Sequence, residues 1–176
     1  MKLSGVFIVL FLSLNSFFVS AQTIDSNKSV VNFKITGGAI FNVKGTFTGM
    51  QGDFNFNETD LNNSSFNICI DAQSIDTDNS KRDADLRSAD FFDVETYSTI
   101  CYKSDSVTKT SNGYSTTGSL TIRGVTNTVT IPFTFKDNRF EGDIEIERLD
   151  YNIGEDYGSF RVGKTASVTI ICVVKP

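Results

Sequence analysis

The sequence predicts an all-β domain, a single antiparallel barrel with one lidded end. Three observations carry this expectation. Apolar and polar residues alternate in one short run after another, and a period of two marks a half-buried strand. Turn-forming residues separate the runs at even intervals, the pattern of a sandwich or a closed barrel. One stretch, Asp71 to Ser104, is too long for a hairpin and too patterned for disorder, so it is expected to cross and cover one end.

Residues 1–21 read as a secretory leader. Lys2 supplies a minimal positive region, and Val6 to Leu14 is an apolar run too short to span a bilayer comfortably. Val19-Ser20-Ala21 is a small-x-small cleavage pattern. The mature chain is therefore expected to start at Gln22 and to be periplasmic or secreted. No cysteine follows the cut, so no lipoprotein anchor is expected. Residues 22–176 suit one domain with one core.

Val31, Phe33 and Ile35 share one face of a first strand, which Gly37-Gly38 ends. Phe41, Val43 and Phe47 follow, with Gly45 allowing the wall to curve. A corner at Gly49 to Gly52 leads to Phe54 and Phe56, and a polar loop over Asn57 to Asn63 leads to Phe66, Ile68 and Ile70. The long crossing comes next. Asp78 or Asn79 can cap a short helix, because a short side-chain acceptor satisfies a free helix N–H. Lys81 to Arg87 forms that helix, with Leu86 and Ala84 inward, and Phe91, Phe92 and Val94 follow as an apolar plug.

Ile100 and Tyr102 then alternate with Cys101 and Lys103, and Asn112-Gly113 is a tight-turn signal. Leu120 and Ile122 mark the next strand, and Val129, Ile131, Phe133 and Phe135 the one after. Pro132 lacks an N–H, so an unpaired or bulged position is expected there. Phe140, Gly142, Ile144 and Ile146 return the chain to a second long loop, Leu149 to Gly163. Tyr151, Tyr157 and Phe160 in that loop either close the lumen or anchor the loop itself. Ala166, Val168, Ile170, Cys172 and Val174 form the closing strand. The count is eight or nine strands; about eight leave an interior suited to side chains or one small ligand.

Several function classes drop out. The chain has no histidine, which excludes Ser-His-Asp and Cys-His catalysis and histidine-based metal sites. Its three cysteines stand singly, and no glycine-rich phosphate loop precedes a helix. Carboxylate pairs such as Asp83 and Asp85 read as solvated charge, and the spacing of Glu155 and Asp156 demands no calcium. The formal charge of -5 disfavours nucleic acid. Neither enzyme activity, catalytic residue, metal nor cofactor is expected. Cys69 and Cys101 each lie between apolar residues that are expected to face inward, so both are expected to face outward, on strands expected to pair. They form either a cross-strand disulfide or two ordinary thiols. Cys172 reads as a buried small hydrophobe.

Two segments resemble the signatures of a known family. SIDTDNSKRDADLRSADFFDVETYSTI, from Ser74 to Ile100, and GSLTIRGVTNTVTIPFTF, from Gly118 to Phe135, are similar to those of the YceI-like family of periplasmic and secreted lipid-binding proteins. The resemblance runs from Ile24 to Val174, and Ser98 departs from it, standing where the family usually has proline. It implies an antiparallel eight-stranded lipocalin-like barrel with a short helix in the long loop after the fourth strand. It also implies a lumen that holds an amphiphilic lipid, a polyisoprenoid such as a quinone-like or prenyl molecule, for storage or transport. The lining would come from Phe33, Ile35, Phe47, Phe54, Phe66, Ile68, Ile70, Leu86, Phe91, Phe92, Ile100, Tyr102, Leu120, Ile122, Ile131 and Phe133. Arg82, Asp83, Arg87 and Asp90 cluster at one end. Either the arginines meet a polar head group, or they form ion pairs with Asp83, Asp90 or Glu95 that hold the loop as a lid. The competing expectation is a structural or stress-related interaction module whose phenylalanines fill their own barrel. Transient membrane contact and a homodimer are both compatible with such a barrel.

Overall fold

The computed structural model describes residues 22–37 and 41–175; the leader expected over residues 1–21 lies outside the described residues. Nine strands form one antiparallel sheet: β1 (Val30–Gly37), β2 (Phe41–Phe47), β3 (Gln51–Asn55), β4 (Ser65–Asp71), β5 (Thr99–Thr110), β6 (Gly113–Ile122), β7 (Val125–Lys136), β8 (Arg139–Glu147) and β9 (Thr165–Val173). The order across the sheet is β2-β1-β9-β8-β7-β6-β5-β4-β3. Among the described residues one α-helix, α1 (Ser80–Arg87), lies between β4 and β5.

The ninth strand has a simple origin. β2 pairs with β1, and β3 pairs with β4. Alternation across the sheet makes β2 and β3 run in the same direction, so they are two halves of one wall that changes partner midway. Thr48 to Met50 makes the change, with Gly49 at a φ of 72° that glycine tolerates without strain. Counting β2 and β3 together leaves eight walls. The seam between the two halves is closed by short bridges. Thr46 and Asp76 exchange both backbone hydrogen bonds, at 2.9 and 3.1 Å, and Asp71 N–H donates to Thr48 O at 3.1 Å. Residues 22–25 fill the rest: Gln22 bridges Phe54, Ile24 bridges Val174, and Asp25 N–H donates to Val173 O at 2.8 Å. A sheet closed in this way leaves little free edge for another chain to join.

The two ends of the barrel differ. At the floor, phenylalanines from β3, β4, β7 and β8 pack ring to ring. Phe133 and Phe140 stack with centroids 4.4 Å apart, Phe54 and Phe66 lie 4.8 Å apart, and Phe56 meets Tyr114 edge-on at 4.9 Å. Each such pair contributes about 0.5–1.5 kcal/mol beyond its buried area. The other end, the lid, carries α1 and its flanking loops, residues 72–98, together with the loop of residues 148–164. Pairing between β7 and β8 covers only Phe133 to Lys136 on β7. It stops at Pro132, where the missing N–H was expected to interrupt a ladder. Toward the lid the two strands part, and the turn Arg148–Tyr151 packs beside them, its Asp150 carbonyl accepting from Asn127 Nδ2 at 2.9 Å.

Within the lid, Asn79 is the helix cap, its side-chain oxygen accepting from Arg82 N–H at 3.0 Å. Asp78 instead occupies a left-handed position, with φ 57°. Ala84 was expected to face inward and is exposed. The helix rests on the barrel through Leu86 alone, because charged side chains occupy most of its other positions.

Candidate lipid-binding cavity

The register fixes which side chains face the lumen, and their burial divides it in two. Phe54, Phe66, Phe133 and Phe140 at the floor are buried. Ile68, Ile100, Ile144, Val168 and Ile170, higher in the barrel, pack against the same core yet stay only half-buried. They face a cavity of about 210 Å³, whose accessible wall is apolar throughout.

Fifteen of the residues expected to line a lumen do line it: Phe33, Ile35, Phe47, Phe54, Phe66, Ile68, Ile70, Leu86, Phe91, Phe92, Ile100, Tyr102, Leu120, Ile122 and Ile131. Phe133 does not. It sits one layer lower, sandwiched among Phe140, Phe56 and Phe66, and belongs to the packed floor. Alternation gives a residue's face but not its height along the barrel axis. The wall also includes Val31, Ile144, Ile146, Val168 and Ile170, which carry the same alternation. Ile153 and Val162 join it from the second long loop, where no periodicity in the sequence marks them, and Arg148 joins it by continuing the inward face of Ile144 and Ile146.

Polar groups beside the cavity are satisfied internally. Tyr102 Oη and Thr116 Oγ1 share a hydrogen bond of 2.8 Å, and burial pushes the Tyr102 phenol above its usual range against the opposing pull of that bond. Cys172 lines the wall, and burial pushes its thiol up to about 12, so it stays protonated and unreactive. Cys69 and Cys101 lie directly opposite each other on β4 and β5 and are joined by a disulfide.

The lid charges bond to the loop itself, to its backbone and to the Thr77 hydroxyl. Asp83 is buried and accepts from Thr77 N–H at 2.9 Å and from Thr77 Oγ1–H at 2.5 Å. Arg82 donates to Thr77 Oγ1 and Thr77 O at 2.8 and 2.7 Å. Arg87 donates to Gln73 O at 2.8 Å and to Ile75 O at 2.5 Å. The expected ion pairs with Asp83, Asp90 and Glu95 do not form. Among the described residues the ion pairs are Lys28–Asp25 and Arg139–Glu141, both distant from the lid. Backbone carbonyls win because the loop folds back around each guanidinium and presents oxygens that its fork can reach. Neither Arg82 nor Arg87 lines the cavity. Asp90 joins the two loops: its carbonyl accepts from Gly154 N–H at 2.8 Å, and its carboxylate accepts from Tyr157 Oη–H at 3.3 Å. Arg123 adds bonds to Ala89 O and Asn152 O, one in each loop.

Arg148 has a role that the sequence does not mark. It is 4% exposed, and its guanidinium donates to the carbonyls of Gly163, Ile153, Gly154, Tyr157 and Val162. Burial lowers its pKa, yet an arginine remains charged in a protein. Five carbonyl dipoles stand in for a counter-ion, and one side chain thereby organises the whole second loop.

Residues 22–174 match the YceI-like domain. The chain belongs to the YceI-like family. It is 33% identical to the YceI protein of Salmonella newport over 144 residues, covering 76% of this chain and 75% of that one. Among solved structures, Burkholderia cenocepacia BcnA superposes with a TM-score of 0.78 at 25% identity, covering 86% of this chain and 99% of the other. A domain from Saccharophagus degradans described as polyisoprenoid binding has the same fold, with a TM-score of 0.67, 16% identity, and coverage of 88% and 98%. The YceI-like architecture is thus an antiparallel barrel with one short helix, as the two signature segments implied.

Proposed function

We propose that this protein binds an amphiphilic lipid with a long apolar chain, of the polyisoprenoid class, inside its barrel and stores or carries it outside the cytoplasm. The observation that carries this is the cavity between the aromatic floor and the stapled lid, with its wholly apolar accessible wall. Burying a CH₂ group is worth roughly 0.8 kcal/mol, so a five-carbon isoprene unit contributes up to about 3–4 kcal/mol. A few units offset an association cost of about 4–15 kcal/mol, and no elaborate polar site is needed. The likeness to the Saccharophagus degradans domain supports the class of ligand. The competing idea, a barrel filled by its own phenylalanines, describes the floor but not the half-buried isoleucines above it. No catalytic step is proposed.

Transient contact with a bilayer fits the same picture. Among the described residues the exposed large hydrophobics, Tyr97, Leu149 and Phe160, all stand at the lid end, and Phe160 is 84% exposed. A cargo that partitions into an apolar lumen must leave an apolar phase to reach it. Export rests on the leader expected over residues 1–21, and a monomer suffices.

The test is native mass spectrometry of the mature protein, purified gently from its own host and then extracted with organic solvent. A stoichiometric adduct that extracts as an isoprenoid is expected. A bare mass that persists after incubation with isoprenoid quinones and prenyl phosphates would overturn the proposal in favour of the interaction module.

A further inference from the structure

The described chain begins with a paired contact on the edge of β3. Gln22 N–H donates to Phe54 O at 2.8 Å, and Phe56 N–H donates to the side-chain oxygen Oε1 of Gln22 at 3.0 Å. Where an antiparallel ladder pairs Gln22 with Phe54, the Phe56 N–H would ordinarily meet a backbone carbonyl two residues upstream of Gln22. The Gln22 carboxamide takes that carbonyl's place. Residue 22 thus supplies both the donor and the acceptor from its own atoms, and the ladder needs nothing before it. Immediately afterwards Thr23 O accepts from Lys175 N–H at 2.7 Å, and Asp25 N–H reaches Val173 O. The segment is the strip that closes the barrel seam.

We propose that Gln22 is a modification site: once a leader is removed after Ala21, the new α-amine attacks the residue's own carboxamide and gives an N-terminal pyroglutamyl residue. This rests on the same leader that export rests on. The step is an intramolecular transamidation. The N–Cδ bond forms, the Cδ–Nε2 bond breaks, and the side-chain nitrogen leaves as ammonia, taking the proton that the amine gives up. Nothing is oxidised or reduced.

The product matches the bonding already present. A pyroglutamyl ring keeps one amide N–H and the carbonyl oxygen Oε1, the two groups held by Phe54 and Phe56. In the ring they lie side by side across a cis amide, toward the Phe54 carbonyl on β3 and the Phe56 N–H just past its end. A free terminus would instead place an α-amine, with a pKa of about 7.7–8.0, at a half-buried position where the structure uses a neutral amide donor. Cyclisation removes that charge and leaves the seam strip without a free amine for an aminopeptidase to grip.

The experiment is the intact mass of the mature protein from a host that exports it, expressed with residues 1–21 in place. The expected mass is that of a chain starting at residue 22 and lighter by one ammonia. Pyroglutamyl aminopeptidase should then expose Thr23 on the denatured chain. A Gln22→Glu variant prepared in the same way should keep a labelable α-amine, because a carboxylate is a far poorer acyl donor than a carboxamide. A chain that starts at Gln22 and keeps its ammonia through prolonged warm incubation overturns the cyclisation and leaves the leader standing. A chain cut elsewhere, or uncut, overturns both, and the mass tells the two failures apart.

Discussion

Breaking the Cys69–Cys101 bond should cost a large part of the protein's stability. The disulfide joins β4 and β5 at the stem of the lid, where the chain leaves the barrel wall and re-enters it, and its partners are 32 residues apart in sequence. Cross-linking a loop of that length removes about 12 cal/mol/K of entropy from the unfolded chain, or roughly 3–4 kcal/mol at 25 °C. A domain of this size is stable by only about 5–15 kcal/mol. The perturbation is Cys69→Ser with Cys101→Ser, which avoids a reductant and leaves Cys172 as the sole thiol. Urea unfolding followed by circular dichroism is the assay. With m of about 1–3 kcal/mol/M, the midpoint should fall by at least about 1 M. The m-value should rise as well, because the released chain unfolds to a more expanded state. Thiol titration of the denatured wild-type protein supplies the control: one reactive group if the bond is present, three if it is absent. A loss below about 1 kcal/mol with one titratable thiol would refute the loop-closure reasoning, and three titratable thiols would refute the bond itself.

Other expectations follow from the lumen and its lid. Ile144→Trp, projecting into the cavity, should weaken isoprenoid binding about tenfold or more, since displacing two CH₂ groups at about 0.8 kcal/mol each suffices; unchanged retention of extractable lipid would count against the cavity as the binding site. Arg148→Met leaves five carbonyls without their donor and should cost about 3 kcal/mol or more, with proteolytic nicking appearing within residues 149–164 before global unfolding. Tyr151 carries a buried hydroxyl with no well-formed hydrogen bond among the described residues, Asn127 being its polar neighbour, so Tyr151→Phe should leave stability unchanged or raise it by about 1 kcal/mol in thermal unfolding. Cys172 holds its proton up to about 12 in the folded chain, whereas an unfolded thiol ionises near 8.5. Above pH 9 the unfolded state alone gains a thiolate, so stability should fall as pH rises, and alkylation of Cys172 should require unfolding.

Much of the wall was legible because strands announce their inward face every second residue. Ile68 and Ile70, Leu120 and Ile122 could be assigned from alternation alone. Phe133 shows where that logic stops: the same face runs from floor to lid, and which residues meet a ligand depends on how many rings the floor already holds. The lid was legible in outline and misread in its bonding. Arg82 and Arg87 stand among aspartates in the sequence, yet their partners are carbonyls and the Thr77 hydroxyl, which only the folded loop brings within reach. Arg148 stands in phase with Ile144 and Ile146 on the inward face, yet its role was not legible, since its five acceptors lie up to fifteen residues away along a loop without periodicity.

The parting of β7 and β8 above Pro132 means that the barrel is not equally stiff along its length. Its lower half is a hoop, laced by backbone ladders nearly all the way round. Its upper half resembles a split ring, with one gap stoppered by a single turn and tethered there by the Asn127–Asp150 contact. A hoop resists radial strain everywhere, whereas a split ring yields at its gap. Amide exchange should therefore be fastest along the facing edges of residues 125–131 and 143–147 and slowest around the phenylalanine floor. A cylinder built this way can swell toward the lid without loosening its base.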